Sequence, residues 1–470
     1  MTPFEVPFSL VGQSGGHHST QFSSELTQNL YIDASDASGK RGIHDFPGFK
    51  AWSTCDGADR GHYEMAGALY KLNGTTLYKV DQAGGCTSVG TIAGSDRAVF
   101  ATDGTYLGIV SGNSIYKCDG STTTTVTQSV VTSPTWIAWL NSQWLIGDAD
   151  RQYSVSNVGD IDSWNALNSA YAEQKADSGV RGYIFNNLLY YLCSDHTEIF
   201  YNSGVGNPPF DRQETALVNI GCAGKHAVTN TRQYLYWLGN DKKFYRAISG
   251  SFQTVSSTGL SNKIEAMTVT SDCVMSSFTY QGQDFVFATF PTENKAFFYS
   301  ETFDYWNELC SGTDFPSDRS IAGEFFEAYG KLKVSDYRNG NTYDVDPDTY
   351  SDAGEARLRV RTLPEFTGSS IRRPGRRITV SKIRLNIQKG VGLATGQGSA
   401  PVLMCELSND GGHTYGSQVF VDMGVMGDYV RAVDFDAFAT GYEIKARIKC
   451  SDPVFLSMTD GIAFISDAGY

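Results

Sequence analysis

The sequence predicts an all-β protein, with a β-propeller of six or seven blades followed by a C-terminal β-sandwich of the jelly-roll type. Three observations support this prediction. Glycine is frequent, with 49 residues, and aromatic residues make up 13% of the chain, as short strands joined by tight turns require. A strand–turn–strand phrase recurs along most of the chain. The composition then changes after residue 350, where basic residues become frequent and apolar residues alternate with polar ones.

The propeller prediction rests on seven similar hairpins. In each, apolar residues flank a polar turn that contains Gly, Asn or Asp, as in GALYKLNGTTLYKV at 67–80. Their second strands are spaced 38 to 54 residues apart, near Leu77, Ile115, Tyr153, Ile199, Phe244, Phe298 and Tyr343. A four-stranded blade takes about 40–50 residues, so each hairpin supplies half of one blade. The widest spacing, before Phe298, predicts an insertion rather than a regular blade.

This pattern divides the chain into three segments. Residues 46–352 form the predicted propeller, in which radial repetition protects the strand edges. Residues 353–470 contain alternating strands such as ITVSKIRLNIQ at 378–388, which predict the C-terminal β-sandwich. Residues 1–45 are rich in Ser and Gln, and we expect an N-terminal arm that supplies a closing strand or grips a neighbouring subunit.

The charge and hydropathy of the chain narrow the functional classes. The formal net charge is −14, which disfavours binding of free nucleic acid, although an acidic wall would let a DNA strand slide past. The first residues, MTPFEVPFSLVG, lack the basic region of a signal peptide. No apolar run reaches the roughly 18 residues of a membrane span. We expect a chain that is soluble and cytoplasmic when it is made.

The cysteine and histidine positions argue against a disulfide framework, a metal site or a bound cofactor. The nine cysteines are widely spaced and form no C-x-x-C pair, so the sequence predicts unpaired, buried thiols. Of the seven histidines, only His17 and His18 are neighbours, and adjacent strand residues point to opposite faces. No nucleophile elbow, zincin or P-loop motif is present, and no catalytic residue is predicted.

One motif is similar to a feature of sugar-cleaving propeller enzymes. Residues 408–415, SNDGGHTY, match the S-x-D-x-G-x-T-aromatic pattern of the Asp-box in sialidases, but they lie outside the propeller repeats. The physics of the box is local, because a short Asp side chain accepts turn N–H groups and Gly adopts positive φ. An active sialidase also needs an Arg cluster and a Tyr–Glu nucleophile pair. We interpret the box as a structural hairpin made by Ser408, Asp410, Gly412, Thr414 and Tyr415.

The densest charge cluster is RRPGRR at 372–377. It belongs to a window, residues 357–389, with ten basic residues and one acidic residue, which leaves a net charge of −23 on the rest of the chain. Pro-Gly is a turn dipeptide, so a solvated turn is one interpretation. The other is a docking patch for an acidic protein partner or a phosphate backbone. The candidate docking residues are Arg372, Arg373, Arg376 and Arg377.

Several phrases, in a fixed order, resemble one protein family across nearly the whole chain. They include QNLYID at 28–33, HDFPGFKAW at 44–52, TEIFYNSGVGNPPFDR at 197–212 and NIGCAGKHAV at 219–228. IKCSDPVFLSMTDG at 448–461 continues the similarity to the end of the chain. Together these phrases resemble the tail hub, or nozzle, proteins of short-tailed bacteriophages, also called packaged DNA stabilisation proteins.

The resemblance implies a structural virion protein without catalytic residues or cofactors. Six copies would form a ring that extends the DNA channel of the portal and its adaptor protein and retains the packaged DNA. The ring would hold a needle or plug, anchor the tailspikes, and let double-stranded DNA pass during ejection without sequence-specific contacts. The resemblance also implies assembly in the host cytoplasm, a final location in the virion tail and no membrane contact of the assembled hub.

The alternative is a carbohydrate-binding or glycan-cleaving β-propeller, such as an adhesin or a sialidase-like enzyme. Such a protein would bind or turn over glycan as an isolated chain. A hub would bind only its tail partners, so the two classes can be separated by experiment.

Overall fold

The computed structural model describes residues 3–15, 25–34, 39–213, 218–248 and 251–469. Regular structure in these ranges is β-strand, apart from an α-helix, α1, at Thr258–Glu265 and a 3-10 helix at Gly368–Ile371. The all-β prediction is therefore confirmed. No helix within these ranges is long and apolar enough to cross a membrane. His17 and His18 lie outside the described residues.

The propeller blades are antiparallel meanders in which consecutive strands pair. The first two blades along the chain contain β6 (Asp59–Met65), β7 (Ala68–Asn73), β8 (Thr76–Val80), β9 (Cys86–Thr91), β10 (Val99–Thr102), β11 (Leu107–Ser111), β12 (Ser114–Cys118) and β13 (Thr123–Val126). The next three contain β14 (Trp136–Leu140), β15 (Gln143–Gly147), β16 (Gln152–Ser156), β17 (Trp164–Tyr171), β18 (Gly179–Phe185), β19 (Leu188–Cys193), β20 (Thr197–Asn202), β21 (Phe210–Arg212), β22 (Val228–Asn230), β23 (Leu235–Leu238), β24 (Phe244–Ile248) and β25 (Ser251–Thr254).

A strand from the N-terminal side of the chain completes the last blade. This blade contains β32 (Ala322–Ala328), β33 (Lys331–Asp336), β34 (Asn341–Asp346) and β5 (Gly48–Thr54). β5 runs antiparallel to β34, with Gly48 opposite Asp346 and Thr54 opposite Asn341. The two ends of the propeller segment are therefore held in one sheet, and the ring opens only if this ladder breaks.

Six blades within the described residues are separate four-stranded sheets, and one further meander belongs to a larger sheet. It contains β26 (Val274–Tyr280), β27 (Gln283–Phe290), β28 (Lys295–Ser300) and β29 (Tyr305–Glu308). β29 continues through β2 (Thr27–Gln28) into strands of the C-terminal domain, which makes a ten-stranded sheet. α1 lies in the connection that precedes β26, where the widest hairpin spacing predicted an insertion.

The predicted hairpins correspond to the second and third strands of the blades. Leu77 lies in β8, Ile115 in β12 and Tyr343 in β34, each the third strand of its blade. The first strands, such as β6, β10 and β14, contact one another around the propeller axis. The ring therefore has six separate blades and a further position occupied by β26–β29, in agreement with the prediction of six or seven blades.

Aromatic side chains pack between neighbouring blades. The Trp136 ring meets Tyr191 of the next blade edge-on, with 5.5 Å between ring centroids. Phe278 in β26 stacks on Phe325 in β32 with a centroid separation of 4.4 Å. Gly182 faces the Trp136 ring so closely that a Cβ atom there would collide with it. These contacts bury apolar surface and fix the spacing between blades.

The C-terminal domain consists of two sheets that share an apolar core. The seven-stranded sheet contains β1 (Phe4–Ser9), β3 (Leu30–Ala34), β4 (Arg41–Asp45), β37 (Arg377–Ile387), β40 (Val433–Phe435), β41 (Ala439–Gly441) and β43 (Ser457–Gly469). The domain's part of the ten-stranded sheet contains β35 (Arg359–Thr362), β36 (Phe366–Thr367), β38 (Val402–Ser408), β39 (Val419–Asp422) and β42 (Glu443–Cys450). A small separate pair contains β30 (Cys310–Ser311) and β31 (Asp318–Arg319).

The segment predicted as an N-terminal arm forms strands within the chain's own sheets. β1 and β4 both pair with β43, the long last strand of the chain. β2 pairs with β29 on one side and with β35 on the other, so it joins the propeller sheet to the C-terminal domain. The described strands of this segment are therefore structural parts of the protomer.

Three arginines of the basic window are buried where the chain crosses between the two domains. Arg357, Arg359 and Arg361 are 0% exposed. Arg357 Nη2 lies 3.2 Å from Asp45 Oδ1, and its Nη1 lies 3.0 Å from Asp352 Oδ1. Burial raises the pKa of Asp45 and Asp352, and the facing guanidinium groups oppose that rise. The window therefore does not form one basic surface.

The prediction of unpaired cysteines is wrong for one pair. Cys55, directly after β5, forms a disulfide with Cys86 at the start of β9, with Cα atoms 5.8 Å apart. Because the fold places the closing blade beside the first blade, two cysteines 31 residues apart become neighbours. The other seven cysteines all lie in described residues and are free and buried, as predicted.

We expect Arg357→Met to destabilise the protein by about 3–5 kcal/mol, because it leaves Asp45 and Asp352 buried without their charge partner. Urea unfolding followed by circular dichroism measures this loss. The control is Lys331→Met, which removes an exposed partner of Asp344 and should cost about 1 kcal/mol or less. Equal, small effects of the two substitutions would contradict a structural role for the buried pair.

Candidate functional site

The Asp-box residues form a hairpin at the end of β38. Ser408 Oγ donates a hydrogen bond to Asp410 Oδ1 at 2.6 Å and accepts one from the Gly412 N–H at 2.8 Å. Thr414 donates its N–H to Asp410 Oδ1 at 2.9 Å and its hydroxyl to Asp410 Oδ2 at 2.6 Å. The hydrogen bonds from Ser408 and Thr414 hold the pKa of Asp410 well below its usual range. The Asp410 carboxylate thus accepts hydrogen bonds from residues of its own turn.

A groove of about 570 Å³ lies between the box and residues 437–440. Tyr415 lines it, and the Arg447 guanidinium lies 3.6 Å from the centroid of the Tyr415 ring, a cation–π contact that fixes the aromatic position of the box. The described lining of the groove contains no carboxylate and no histidine. It therefore offers no general acid or base for glycoside hydrolysis.

The RRPGRR segment is a turn between the 3-10 helix at Gly368–Ile371 and β37. Arg372 and Arg373 are exposed, and Arg372 takes the left-handed conformation, with φ of 59°. Arg373 Nη1 pairs with Asp467 in β43. Arg377 begins β37 opposite Gly469. A hydrogen bond from the Gly469 N–H, followed by the contact with Arg373, lowers the pKa of Asp467. Part of the repulsion among the four arginines is therefore offset within the chain.

The two predicted sites occupy different sheets. The Asp-box follows β38 in the ten-stranded sheet, and the RRPGRR turn precedes β37 in the seven-stranded sheet. The structure therefore does not join the predicted residues into one pocket. They form two separate features of the C-terminal domain.

The propeller axis holds a polar cavity that the sequence analysis did not predict. The cavity has a volume of about 310 Å³ and is lined by residues on or beside the first strands of several blades. Arg97 pairs there with Glu324 and with Asp59, whose Oδ2 is 3.3 Å away. His62 Nδ1 is 3.6 Å from Glu324 Oε2, and burial lowers the pKa of His62. These residues come from three neighbouring blades, and Glu324 is more than 200 residues from the others in sequence, so no local motif could reveal them.

The axial cavity lacks the activated tyrosine of a sialidase. Tyr183 donates its hydroxyl to Asn230 Oδ1 at 2.8 Å rather than to a glutamate. Burial raises the pKa of Tyr183 to about 12, whereas a nucleophile needs a lowered value. Glu324 is held by Arg97. Tyr183 and Glu324 thus do not form the Tyr–Glu pair that glycan cleavage of this kind requires.

The ring of blades and the sandwich joined to it define an all-β protein built from a β-propeller and a second β-sheet domain. The model of the family described as "Bacteriophage P22 Gp10, beta-propeller" matches residues 5–350. The chain belongs to this family of phage propeller proteins and is a phage structural protein, which fits a location in the virion. The predicted resemblance to the tail hub and packaged DNA stabilisation proteins is confirmed at the level of the family.

The similarity to two solved structures is weak. BamB from Moraxella catarrhalis is 12% identical, with a TM-score of 0.40 over 69% of this chain and 96% of its own. The WD40 β-propeller domain of Doa1 is 10% identical, with a TM-score of 0.41 over 63% of this chain and 96% of its own. No curated protein matches the chain.

We expect Asp410→Ala to lower the melting temperature of the C-terminal domain at pH 7, because the turn loses the hydrogen bonds of the carboxylate. The lowered pKa of Asp410 means that the ionised form stabilises the fold. The difference from wild type should therefore be present above about pH 4, the unfolded value, and shrink as the pH falls toward the lowered folded value. Calorimetry at several pH values measures this.

The control for this experiment is Asp436→Ala, an exposed Asp of the same domain, whose melting temperature should stay close to wild type at each pH. We expect no glycosidase activity in any of the three proteins. Loss of a measurable glycosidase activity in Asp410→Ala, at unchanged stability, would contradict the structural interpretation of the box.

Proposed function

We propose that this protein is the tail hub, or nozzle, of a short-tailed phage. Six copies form a ring that extends the channel of the portal and adaptor, retains packaged DNA, and anchors the needle and tailspikes. DNA then leaves through this channel during ejection. The observation that carries the proposal is the family match over residues 5–350. The same family match favours a non-enzymatic role.

The way the two domains are joined also supports a role as a ring component. A subunit that must align a channel with its neighbours needs a fixed angle between its domains. In this chain, β2 links the sheets of the propeller and sandwich, and the buried arginines lie at the crossing between them. Such a protomer presents its surfaces in a constant arrangement.

Residues 420–442 of the C-terminal domain are rich in exposed apolar side chains, and we propose this segment as the contact face toward the next copy in the ring. Seven large apolar side chains between residues 420 and 442 are exposed: Phe420, Val425, Met426, Tyr429, Val430, Phe438 and Tyr442. Val430 has the largest exposure, 93%. Arg431 pairs with Asp422 and Asp428, so these loop charges are already compensated within the face. β39, which carries Phe420, is the end strand of its sheet.

The charge of the chain is compatible with a DNA channel of low affinity. With a net charge of −14, the protomer repels the phosphate backbone on average. A wall of this sign lets DNA slide without being held at particular bases. Retention of DNA by the hub would then come from the plug at the end of the channel rather than from binding to its wall.

The proposal predicts that the free chain is largely monomeric and forms a six-fold ring only on portal particles that carry the adaptor protein. Native mass spectrometry of the free chain should show mostly single copies, and negative-stain images of the mixture should show ring density at one particle vertex. We expect Val430→Asp to keep its melting behaviour and to lose ring formation, because it places an unpaired charge in an apolar contact.

The control variant is Val158→Asp, which changes another exposed valine, 73% exposed, outside the proposed contact face. It should still assemble. A stable free dimer with closed two-fold symmetry would contradict the proposal, because such an interface uses up its own surface. If Val430→Asp assembled at the wild-type level, the assignment of the contact face would be wrong, but the hub proposal would not be affected.

The RRPGRR turn is proposed to dock an acidic protein surface, either of a neighbouring subunit or of another tail protein. Replacing Arg372, Arg373, Arg376 and Arg377 by Ser should block incorporation into tails or attachment of one partner. The melting temperature should fall only slightly, since a partly exposed ion pair such as that of Arg373 with Asp467 contributes about 0–1 kcal/mol. Sedimentation of assembled particles, with the attached partners quantified, measures the effect.

DNA is the competing ligand for this turn. If it bound there, the free protein would shift duplex DNA in a gel at low salt, with an affinity that falls steeply as salt rises. A gel shift that the four-Ser variant loses would overturn the assignment to a protein partner.

A further inference from the structure

We infer that a buried cluster at the end of the β19–β20 hairpin is a binding site for a zinc-class divalent cation. Its ligands are Cys193, His196 and Asp177, whose donor atoms all lie within 4.8 Å of one another. Nothing in the proposed hub function calls for this site, and the inference stands independently of it.

The local fold brings a thiol and an imidazole to the same side of one tight turn. Cys193 ends β19 and His196 directly precedes β20, and the Cys193 N–H donates to the His196 carbonyl at 2.9 Å. Residues paired across a hairpin turn project from the same face of the sheet. The resulting C-x-x-H spacing is similar to the short ligand spacing of structural zinc sites. Both side chains are 0% exposed.

Carboxylates approach the histidine from both sides. Asp177 Oδ2 shares a 2.9 Å hydrogen bond with His196 Nδ1 and accepts the Asp195 N–H at 2.7 Å; a cation bound at Nδ1 would replace the first of these contacts. Glu198 Oε1 lies 3.0 Å from Nε2, on the opposite side of the ring. A metal-binding histidine usually gives its other ring N–H to a carboxylate, which fixes the ring and makes it a better ligand. Glu198 is placed for that positioning role.

Unsatisfied polar atoms point to a missing ligand. Asp177 Oδ1 is buried and has no hydrogen-bond partner, and the Asp177 side chain is only 6% exposed. Glu198 Oε2 is also buried without a hydrogen bond; Arg212 Nη1 lies 3.7 Å from it. A buried carboxylate oxygen without a partner loses its hydration without compensation, which is unfavourable. A cation bound by Asp177 would satisfy the first of these oxygens.

The donor set selects the class of cation. One sulfur, one imidazole nitrogen and one carboxylate oxygen suit zinc and similar transition metals, whereas calcium and magnesium prefer oxygen ligands. Zinc bonds of about 2.0–2.3 Å hold tetrahedral ligands closer together than 4.8 Å, so the three side chains must shift to bind the cation. Binding converts the Cys193 thiol to a thiolate and releases its proton to solvent. Three protein ligands leave a fourth position for water.

The test uses the full-length protein, reduced, stripped with a chelator, exposed to Zn²⁺ and then desalted. We expect about one zinc per wild-type chain by elemental analysis, and near zero in Cys193→Ser and His196→Asn. The matched control is Cys118→Ser, which removes another buried free thiol far along the chain and should keep its zinc. With Co²⁺, the wild type should show a thiolate-to-metal charge-transfer band that Cys193→Ser lacks.

If the ligand variants fail to fold, two other measurements test whether the cluster binds zinc. Zn²⁺ should raise the melting temperature of the wild type, and chelator should reverse the rise. Asp177→Asn, a conservative change in the loop before β18, should weaken zinc affinity at least tenfold. The competing explanation is a metal-free cluster in which a protonated His196 bridges Asp177 and Glu198. Wild-type protein that retains no zinc and shows no melting shift, or equal zinc loss in Cys118→Ser, would overturn the inference.

Discussion

The buried guanidinium of Arg357 joins the two chain segments that connect the propeller to the sandwich. It lies where the chain crosses between domains in both directions, at residues 45–48 and 346–359. On the first crossing it pairs with Asp45 and donates to the Pro47 carbonyl at 3.1 Å. On the second it pairs with Asp352. A buried charge without a partner is costly. Both crossings must therefore stay in place for Arg357 to keep its ion pairs with Asp45 and Asp352.

This arrangement connects the closure of the propeller to the sandwich. β4 of the sandwich ends at Asp45, and β5, which closes the last blade, begins at Gly48. The crossings also share backbone hydrogen bonds, from Gly48 N–H to the Thr349 carbonyl at 2.7 Å and from the Phe49 N–H to the Ser351 carbonyl at 2.9 Å. The blade ring therefore closes only where the sandwich strands are formed. For a subunit that lines a channel, this coupling fixes the relation between its two domains.

The sequence was sufficient to predict the repeats but not the contacts that join distant segments. Hairpin periodicity located the third strand of each blade, because apolar alternation and turn residues are local signals. Arg357 belongs to a basic window whose charge was counted without any indication of burial, since its burial depends on Asp45, far away in sequence. The disulfide partners Cys55 and Cys86 meet only through ring closure. Local residue spacing was enough to predict the Asp-box hairpin. The lining of the axial cavity, in contrast, comes from the first strands of many blades, which are far apart in sequence.

We expect the closing blade and the sandwich to unfold as one cooperative unit. Native-state hydrogen exchange of the full chain tests it most directly, because it reports the free energy of opening strand by strand. We expect the slowest-exchanging amides of β4, β5, β34 and β35 to share one free energy of opening. Sandwich amides that exchange through a separate, lower-energy opening while β5 and β34 stay protected would contradict it.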